Sequence, residues 1–174
     1  VGNLNDDNGD GQVNEADIPD IAFTSYAGTD YGGAGTLNVI DGDGSGTLWS
    51  ITEAGGVQFQ GSGGVALGDF EGDGIPEVCA AGVQMAVVCV HGPDGSLDFA
   101  AGSEQDPYMY PAFADLEGDG LPELIVGNQV FDGAGTLKMN GDAGEGRHKA
   151  SYAVDWDGDG ILEVVSGNTI YRLD

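Results

Sequence analysis

The chain has 174 residues, of which 33 are glycine, and 30 acidic residues against four basic ones give a formal net charge of -26. This balance excludes nucleic-acid binding and electrostatic attachment to an anionic membrane, because both need a basic surface. The longest uninterrupted apolar run, residues 85–90, is far below the roughly 18 residues of a membrane-spanning helix, so we expect no membrane insertion. The hydrophobic content of 40% still predicts a folded chain. Because it opens without an initiating methionine or a leader pattern, we interpret the chain as a mature or excised piece.

A ten-residue acidic motif recurs along the chain. It reads DFEGDGIPEV at 69–78, DLEGDGLPEL at 115–124 and DWDGDGILEV at 155–164, with acidic residues at motif positions 1, 3, 5 and 9. A longer version begins with DDNGDG at 6–11 and continues, after an insertion, with IPDI at 18–21. The motif therefore divides the chain into repeats of approximately 1–60, 61–106, 107–148 and 149–174.

Short apolar stretches around each motif predict β-strands. In chain order, a first strand precedes the motif (1–4, 64–67, 152–154) and a second strand follows it (123–126, 163–165). A third strand leads into a glycine turn (39–40, 90–91, 130–131), and a fourth begins near residues 47, 96 and 136. Four antiparallel strands in 40 to 50 residues are typical of a propeller blade.

The predicted fold is therefore all-β. We expect a single domain over residues 1–174, built as a β-propeller-like array of just under four four-stranded antiparallel blades. The last blade stops after a third strand at 169–173, and an open strand edge of this kind favours pairing. Either the array nearly closes as a small four-bladed ring, or it belongs to a larger propeller completed by missing sequence or by another copy. We accordingly expect self-assembly, or pairing with missing blades, through the open edge strands.

The acidic motif has the composition of a metal-binding loop. Four carboxylates within nine residues would repel one another without a counter-ion. Ca²⁺ accepts six to eight oxygen ligands in a tolerant geometry, whereas Mg²⁺ demands a stricter octahedron and Zn²⁺ prefers His or Cys. The residue at motif position 7 would contribute its backbone carbonyl. The predicted ligands in these three loops are Asp69, Glu71, Asp73, Ile75 and Glu77; Asp115, Glu117, Asp119, Leu121 and Glu123; and Asp155, Asp157, Asp159, Ile161 and Glu163.

The first loop admits a second alignment. Its spacing also fits a twelve-residue EF-hand or dockerin-type loop that starts at Asp6 and ends at Asp17. Pro19 would block the helix that an EF-hand needs, so we favour a calcium loop embedded in a blade. Asp17 and Asp20 compete as its closing ligand. The predicted ligands are Asp6, Asn8, Asp10, Gln12, Asp17 and Asp20, which brings the expected total to three to four Ca²⁺ sites.

The pattern D-x-D/E-G-D-G-x-x-E followed by an aliphatic strand resembles the calcium loops of FG-GAP or VCBS repeats, known from the heads of integrin α subunits and from many secreted bacterial proteins. The resemblance covers nearly the whole chain. It implies a β-propeller with calcium between the first two strands of each blade, where the ion is usually structural and adhesion occurs elsewhere. Two departures are the low blade count and the Glu residues at 71, 117 and the closing positions, where Asp is usual.

Several residues outside the motif invite functional interpretation. If a hairpin turns around residues 82–85, Cys79 and Cys89 face each other, which predicts a cross-strand disulfide in an oxidising compartment; two buried thiols are the alternative. Trp156 shares its motif position with Phe70, Leu116 and Leu4, which predicts packing in the core. The segment Tyr108-Met109-Tyr110 is a candidate sugar-binding patch, although aromatic strand residues more commonly form core. For His91 and His148 we expect turn or surface positions.

The sequence predicts a protein without enzymatic activity. It contains no nucleophile elbow, phosphate loop or zinc signature, and its regularly spaced acids are assigned to metal. We expect a calcium-stabilised extracellular module, secreted or at the cell surface, that serves adhesion or assembly. The alternative is a carbohydrate-binding, lectin-like propeller or the propeller part of a polysaccharide-active enzyme. The partner would be a protein or a glycan, which the sequence does not distinguish.

Overall fold

The computed structural model describes residues 1–29, 31–103, 108–141 and 150–173. Within these ranges the chain forms sixteen β-strands and no helix, which confirms the all-β prediction. It follows that the described residues include no helix that is long and apolar enough to cross a membrane.

The described residues form five antiparallel sheets, and in each of the four that contain three or four strands, consecutive strands are neighbours. Sheet 1 contains β1 (Ile21–Ser25), β2 (Thr36–Ile40) and β3 (Thr47–Ile51). Sheet 2 contains β6 (Val65–Gly68), β7 (Glu77–Gly82), β8 (Ala86–His91) and β9 (Leu97–Gly102). Sheet 3 contains β10 (Ala112–Ala114), β11 (Glu123–Val126), β12 (Gln129–Phe131) and β13 (Leu137–Asn140). Sheet 4 contains β14 (Ser151–Val154), β15 (Glu163–Ser166) and β16 (Thr169–Tyr171).

The predicted order of four strands is confirmed in sheets 2 and 3, and sheet 4 shows the first three of them. In sheets 2, 3 and 4 the acidic motif connects the first strand to the second, as expected. In sheet 1 the first strand is reduced to one bridge between Gly2 and Asp20, and the described part of sheet 4 ends with its third strand. The sequence did not predict the small hairpin of β4 (Glu53–Ala54) and β5 (Val57–Gln58), which follows sheet 1.

Side chains alternate between two faces of each sheet, and the sheets stack through these faces. We call the face turned towards the next sheet along the chain the leading face, and the opposite one the trailing face. In sheet 2, Val78 and Val90 form a cross-strand pair on the trailing face and pack on sheet 1. Cys79 and Cys89 form the adjacent pair on the leading face and pack on sheet 3. Both central strands of sheet 2 are therefore buried on both faces.

Three apolar clusters fill the three joints between consecutive sheets. The joint between sheets 1 and 2 holds Leu4, Leu37, Val39, Phe59, Val78, Ala80, Val88 and Val90. The joint between sheets 2 and 3 holds Phe70, Cys79, Ala81, Val87, Cys89, Phe99, Met109, Leu124, Val126 and Phe131. The joint between sheets 3 and 4 holds Leu116, Ile125, Val130 and Val164, with Tyr171 and Leu173 packed against them.

The predicted disulfide is present and joins Cys79 to Cys89. The two residues are register partners on β7 and β8, with their Cα atoms 4.0 Å apart. The hairpin between them turns at Gln84 and Met85, which have φ angles of 65° and 58°. The bridge therefore links the two central strands of the most deeply packed sheet.

The first strands lie side by side. β6 contacts β10, and β10 contacts β14. Next to these strands, the Gly64 amide donates to the Met109 carbonyl at 2.8 Å, and Tyr110 and Ala150 form a parallel bridge. Because neighbouring first strands run in the same direction, the acidic loops that follow them lie at one end of the array. The segments that precede them lie at the opposite end.

Candidate metal centre

The acidic loops share one backbone conformation, which is organised by the first aspartate of each. In the loop at 69–77, one Asp69 oxygen accepts the amides of Gly72 and Asp73 at 2.6 and 3.2 Å, and the other accepts that of Gly74 at 2.8 Å. The two glycines have φ angles of 74° and 91°, which L residues rarely adopt. The same three bonds recur around Asp6, Asp115 and Asp155.

The closing carboxylate of each regular motif accepts a backbone amide from the second residue of its own loop. One Glu77 oxygen accepts the amide of Phe70 at 3.2 Å, and Glu123 and Glu163 accept the equivalent amides of Leu116 and Trp156. These three glutamates are buried, whereas motif positions 3 and 5 are exposed. Each loop therefore holds a buried carboxylate beneath an exposed acidic rim.

In the first loop, two aspartates divide the closing role between them. Asp17 accepts the amides of Asp7 and Asn8 at 3.1 and 3.3 Å, and so closes the loop that starts at Asp6. Asp20 accepts the amide of Leu4 at 2.8 Å, which is the bond made by the closing glutamates of the other motifs. The insertion thus adds a second closed loop, which Asp17 closes, whereas Asp20 takes the place of the closing glutamate of the other motifs. The two residues predicted as alternative closing ligands are therefore not equivalent.

The loop at 155–163 brings its carboxylates closest together. Asp155, Asp157 and Asp159 each place an oxygen within 4.8 Å of the others. Glu163 is 6% exposed, and its Oε1 atom is buried without a hydrogen bond, 3.6 Å from Nη1 of Arg172. An Arg172 nitrogen also lies 2.8 Å from Asp159 Oδ2. This guanidinium and the amide of Ile161 hold the pKa of Asp159 below its usual range, with the amide contributing more. The Arg172 side chain therefore places a positive charge next to two carboxylates of this loop.

The other two regular loops differ in how their charge is balanced. In the loop at 115–123, Lys138 forms a salt bridge with Glu117, with Nζ 2.6 Å from Oε2. In the loop at 69–77, the pKa of Glu77 rises to about 7, chiefly because the carboxyl is buried and also because Asp98 and Glu71 are nearby. Burial also raises the pKa of Glu123. Without an added cation, the closing carboxyl of the loop at 69–77 is thus about half protonated near pH 7.

A second carboxylate cluster lies beneath the first loop. Asp7, Asp20 and Asp41 each place an oxygen within 4.8 Å of the others, and Asp20 is completely buried. The Asn5 side-chain amide donates to Asp7 at 2.9 Å and lies 3.5 Å from Asp41. Burial raises the pKa of Asp20, whereas the amide of Asp43 is the main cause that lowers the pKa of Asp41. With Asp155, Asp157 and Asp159, this is the second group of described residues that could hold a cation.

The donor set of these loops suits a hard dication. Every converging side chain offers carboxylate or amide oxygen, which Ca²⁺ prefers, and neither cysteine nor histidine takes part. The buried Oε1 atom of Glu163 forms an ion pair with Arg172 but no hydrogen bond, and this also fits a ligand role, because buried polar atoms normally have hydrogen-bond partners. The carbonyl ligands expected from Gln12, Ile75, Leu121 and Ile161 remain predictions.

Four charged residues at these loops were not predicted from the sequence: Asp7, Asp41, Lys138 and Arg172. The positions of two of them could have been predicted from strand register. Glu163 pairs with Val154 on one side, and its neighbour Val164 pairs with Tyr171 on the other. Because β15 and β16 are antiparallel, Arg172 therefore lies across from Glu163. By the same rule Asp41 lies across from Asp20. The signal was therefore present in the third strand of each repeat, one position beyond its last apolar residue.

The position of Trp156 contradicts its predicted packing. Leu4, Phe70 and Leu116 are 0%, 5% and 3% exposed, but Trp156 is 67% exposed. Each of the three buried residues belongs to the cluster that joins its own sheet to the next one. Sheet 4 is the last sheet of the described chain, so its leading face has nothing to bury the indole.

A group of tyrosines lies at the end of the array opposite the loops. Tyr31, Ser62, Tyr108 and Tyr110 line a hollow of about 360 Å³. The rings of Tyr31 and Tyr108 lie 6.3 Å apart at 44°, and Tyr31 and Tyr110 are more than half exposed. Met109, between the two predicted patch residues, is fully buried. Of the predicted segment, Tyr108 and Tyr110 therefore line the hollow and Met109 belongs to the core. Tyr31, which was not predicted, also lines the hollow.

His91 is the last residue of β8 and the register partner of Glu77, the closing residue of the loop at 69–77. Its Nδ1 atom lies 3.3 Å from Asp94 in the turn that follows, so His91 borders the predicted turn but belongs to the strand. His148 lies outside the described residues.

Comparison with known proteins identifies fold relatives of two kinds. The chain is similar to the Vibrio cholerae biofilm matrix protein Bap1, with a TM-score of 0.82 and 27% identity over 98% of this chain. It is also similar to the Bacillus licheniformis rhamnogalacturonan lyase PL11 and to the exotype rhamnogalacturonan lyase YesX, at 19% and 21% identity over 76% of this chain, each with a TM-score of 0.56. The chain spans 28% of the length of Bap1 and 26% of each lyase. No family model and no curated protein matches the chain.

Proposed function

We propose that this chain is a calcium-stabilised extracellular module built of β-propeller blades, which serves adhesion or assembly and carries no catalytic site of its own. The observation that carries the proposal is the recurrence of one carboxylate-centred loop conformation in all four repeats, with a buried acid beneath an exposed acidic rim. The likeness to a biofilm matrix protein and the disulfide in sheet 2 support an extracellular setting.

Calcium would act on stability because the loops concentrate repulsive charge at one end of the array. A chain with a net charge of -26 folds against its own repulsion, and four bound dications would lower that figure by eight. Binding to the folded state alone adds about 2.7 kcal/mol per site at a hundredfold excess over Kd. Since a domain of this size is stable by about 5–15 kcal/mol, several sites decide whether it stays folded.

Thermal melts in calcium and in EDTA test this role. We expect millimolar CaCl₂ to raise the melting temperature by well over 10 °C relative to EDTA, and equimolar MgCl₂ to raise it much less. MgCl₂ at the same ionic strength is the control for general charge screening. Equal melting temperatures in CaCl₂ and EDTA would contradict the proposal.

The tyrosine hollow supports carbohydrate binding as a second candidate function. Tyrosine rings stack on the apolar faces of sugars while their hydroxyls reach polar groups. The four lining residues carry no charge, and the strongly acidic chain repels polyanions, so a neutral glycan fits better than a polyuronate. The carbohydrate-related fold neighbours agree with this candidate.

Titration with neutral oligosaccharides tests the hollow. Replacing both Tyr31 and Tyr110 by alanine should weaken binding at least tenfold, as expected for two lost stacking contacts of about 1 kcal/mol each. Tyr152→Ala is the matched control, because Tyr152 is equally exposed but lies on sheet 4. Glycan binding that survives the double substitution would exclude this hollow as the site.

A further inference from the structure

The tyrosine hollow is held together by the segment that precedes β6. The Gly64 amide donates to the Met109 carbonyl at 2.8 Å, and a Cβ atom on Gly64 would lie 2.6 Å from Cα and 2.8 Å from Cδ1 of Tyr110. The Ser62 hydroxyl donates to the Tyr31 carbonyl at 2.7 Å. Tyr31 and Tyr110 come from distant parts of the sequence, but both are therefore fixed against the same short stretch of chain.

The rings of Tyr31 and Tyr108 are too close together to hold a sugar between them. Their centroids lie 6.3 Å apart at 44°. A sugar ring stacked between two aromatic rings needs a separation of about 7–8 Å, which is twice the contact distance between carbon atoms. A ligand in the hollow therefore contacts the outer surface of this ring pair, and Tyr110 provides a separate ring surface in the same hollow.

The hollow is open to solvent at two of its tyrosines. Tyr31 is 61% exposed and Tyr110 is 53% exposed. A site that recognises the end of a chain must enclose the terminal unit, as small-molecule pockets do when they bury about 70–90% of their ligand. Rings as exposed as these cannot enclose a ligand on all sides. A sugar unit bound here therefore stays accessible to the units that precede and follow it in a glycan chain.

We infer that the tyrosine hollow binds internal segments of a neutral polysaccharide and not its chain ends, and that Gly64 is a positioning residue that holds Tyr110 at this site. The inference rests on the carbohydrate binding proposed above for the same four lining residues, none of which is charged. Because internal segments recur along a polysaccharide, one polymer takes up many copies of this chain. Binding of this kind serves assembly, since it gathers the protein along a shared glycan.

The number of protein copies bound to each polymer tests internal recognition. Sedimentation velocity of the whole chain in CaCl₂ is measured with dextran, galactomannan and xyloglucan, which are neutral polysaccharides of different sugar composition. For a polysaccharide that binds, the saturated complex should carry many copies of the chain, and their number should grow with the length of the polymer. One or two copies per polymer, whatever its length, would show binding to chain ends and overturn the inference.

Oligosaccharides of one to six units test the same inference by titration calorimetry. Isomalto-, manno- and cello-oligosaccharides match the backbones of the three polymers. In a series that binds, the affinity should rise about fivefold for each unit that reaches a further ring, and then level off. Reducing the terminal sugar to its alditol should leave the affinity of the hexasaccharide unchanged. A monosaccharide that binds as tightly as the hexasaccharide, or binding that is lost on reduction, would contradict internal recognition.

Gly64→Ala tests the position of Tyr110 without removing its ring. The added methyl group would lie 2.6 Å from Cα of Tyr110, so the affinity for the hexasaccharide should fall about fivefold, as it should in Tyr110→Ala. Adding Tyr110→Ala to Gly64→Ala should then weaken binding no further, whereas adding Tyr31→Ala should weaken it about fivefold again.

Gly102→Ala is the matched control for Gly64→Ala, because a Cβ atom on Gly102 would meet nothing within 4 Å. It should bind like the wild-type chain. Circular dichroism melts verify that each variant is folded. If Gly64→Ala binds like wild type, or if its loss adds to that of Tyr110→Ala, Gly64 does not act through Tyr110 and the positioning role is wrong.

Failure of internal recognition is distinguishable from failure of carbohydrate binding. If none of the neutral glycans binds, both are wrong. If oligosaccharides bind but only through a free chain end, carbohydrate binding stands and internal recognition alone is wrong. The calcium proposal is judged by melting temperature, so it stands or fails independently of both.

Discussion

Asp69→Ala separates a calcium loop from a merely hydrogen-bonded turn. Without calcium, the substitution removes three amide-to-carboxylate bonds of 2.6–3.2 Å in a partly exposed loop. Because water can replace an exposed acceptor, each bond contributes about 0.5–1 kcal/mol, and the loss is about 2 kcal/mol in total. The unfolding entropy of a 174-residue chain is about 0.37 kcal/mol/K, so the melting temperature in EDTA should fall by about 5 °C.

With calcium at a hundredfold excess over Kd, the same substitution also removes one bound ion. This adds about 2.7 kcal/mol, or about 7 °C, to the difference between wild type and variant. Differential scanning calorimetry of both proteins in EDTA and in CaCl₂ measures the increment directly. Asp94→Ala is the matched control, because it removes an aspartate that accepts the Ser96 amide in a turn outside the acidic motifs. A melting difference that is the same in EDTA and in CaCl₂ would refute the assignment of an ion to this loop.

Three further predictions concern pH, an internal cation and the disulfide. In EDTA, the melting temperature should fall as pH rises from about 4.5 to about 7 and then level off, because the Glu77 pKa is raised from 4.5 to about 7, so the stabilisation is fully present below the lower value and lost as pH rises through the higher one. Glu77→Gln should flatten the profile, and an unchanged slope would contradict the cause given. Arg172→Gln should tighten the weakest calcium-binding step in calorimetric titration by roughly tenfold, because it removes a positive charge that lies 2.8 Å from the Asp159 carboxylate in a solvent-exposed loop; weaker binding would mean that Arg172 organises the loop. Replacing Cys79 and Cys89 by alanine should lower the free energy of unfolding by about 2–3 kcal/mol in urea titrations, and a loss below 1 kcal/mol would show that the bridge is redundant with the packing of sheet 2.

Local chemistry made much of the fold predictable. The acidic loops are closed by hydrogen bonds between residues three to five positions apart, so the spacing of residues in the sequence is enough to predict these loops. The Cys79–Cys89 bridge depends on one hairpin, whose register follows from ten intervening positions. Such features need no knowledge of how the sheets stack.

The remaining features depend on contacts between distant segments. Tyr31 lies beside Tyr108, which belongs to another repeat, and Asp7 lies beside Asp41, which follows it by 34 positions in the sequence. Trp156 shows the converse: its motif position predicts burial, but burial requires a following sheet. A repeat pattern specifies which face a side chain takes, and the number of neighbouring repeats determines whether that face is covered.

The stacking of sheet 2 between two others has a kinetic consequence for the whole chain. Amide protons on β7 and β8 should exchange with deuterium far more slowly than those on β1 or β16, which are covered from one side only. A stacked array of this kind opens from its ends inward, because each sheet is stabilised mainly by its immediate neighbours. Proteases should accordingly trim the termini first and leave a resistant fragment centred on the disulfide-linked hairpin.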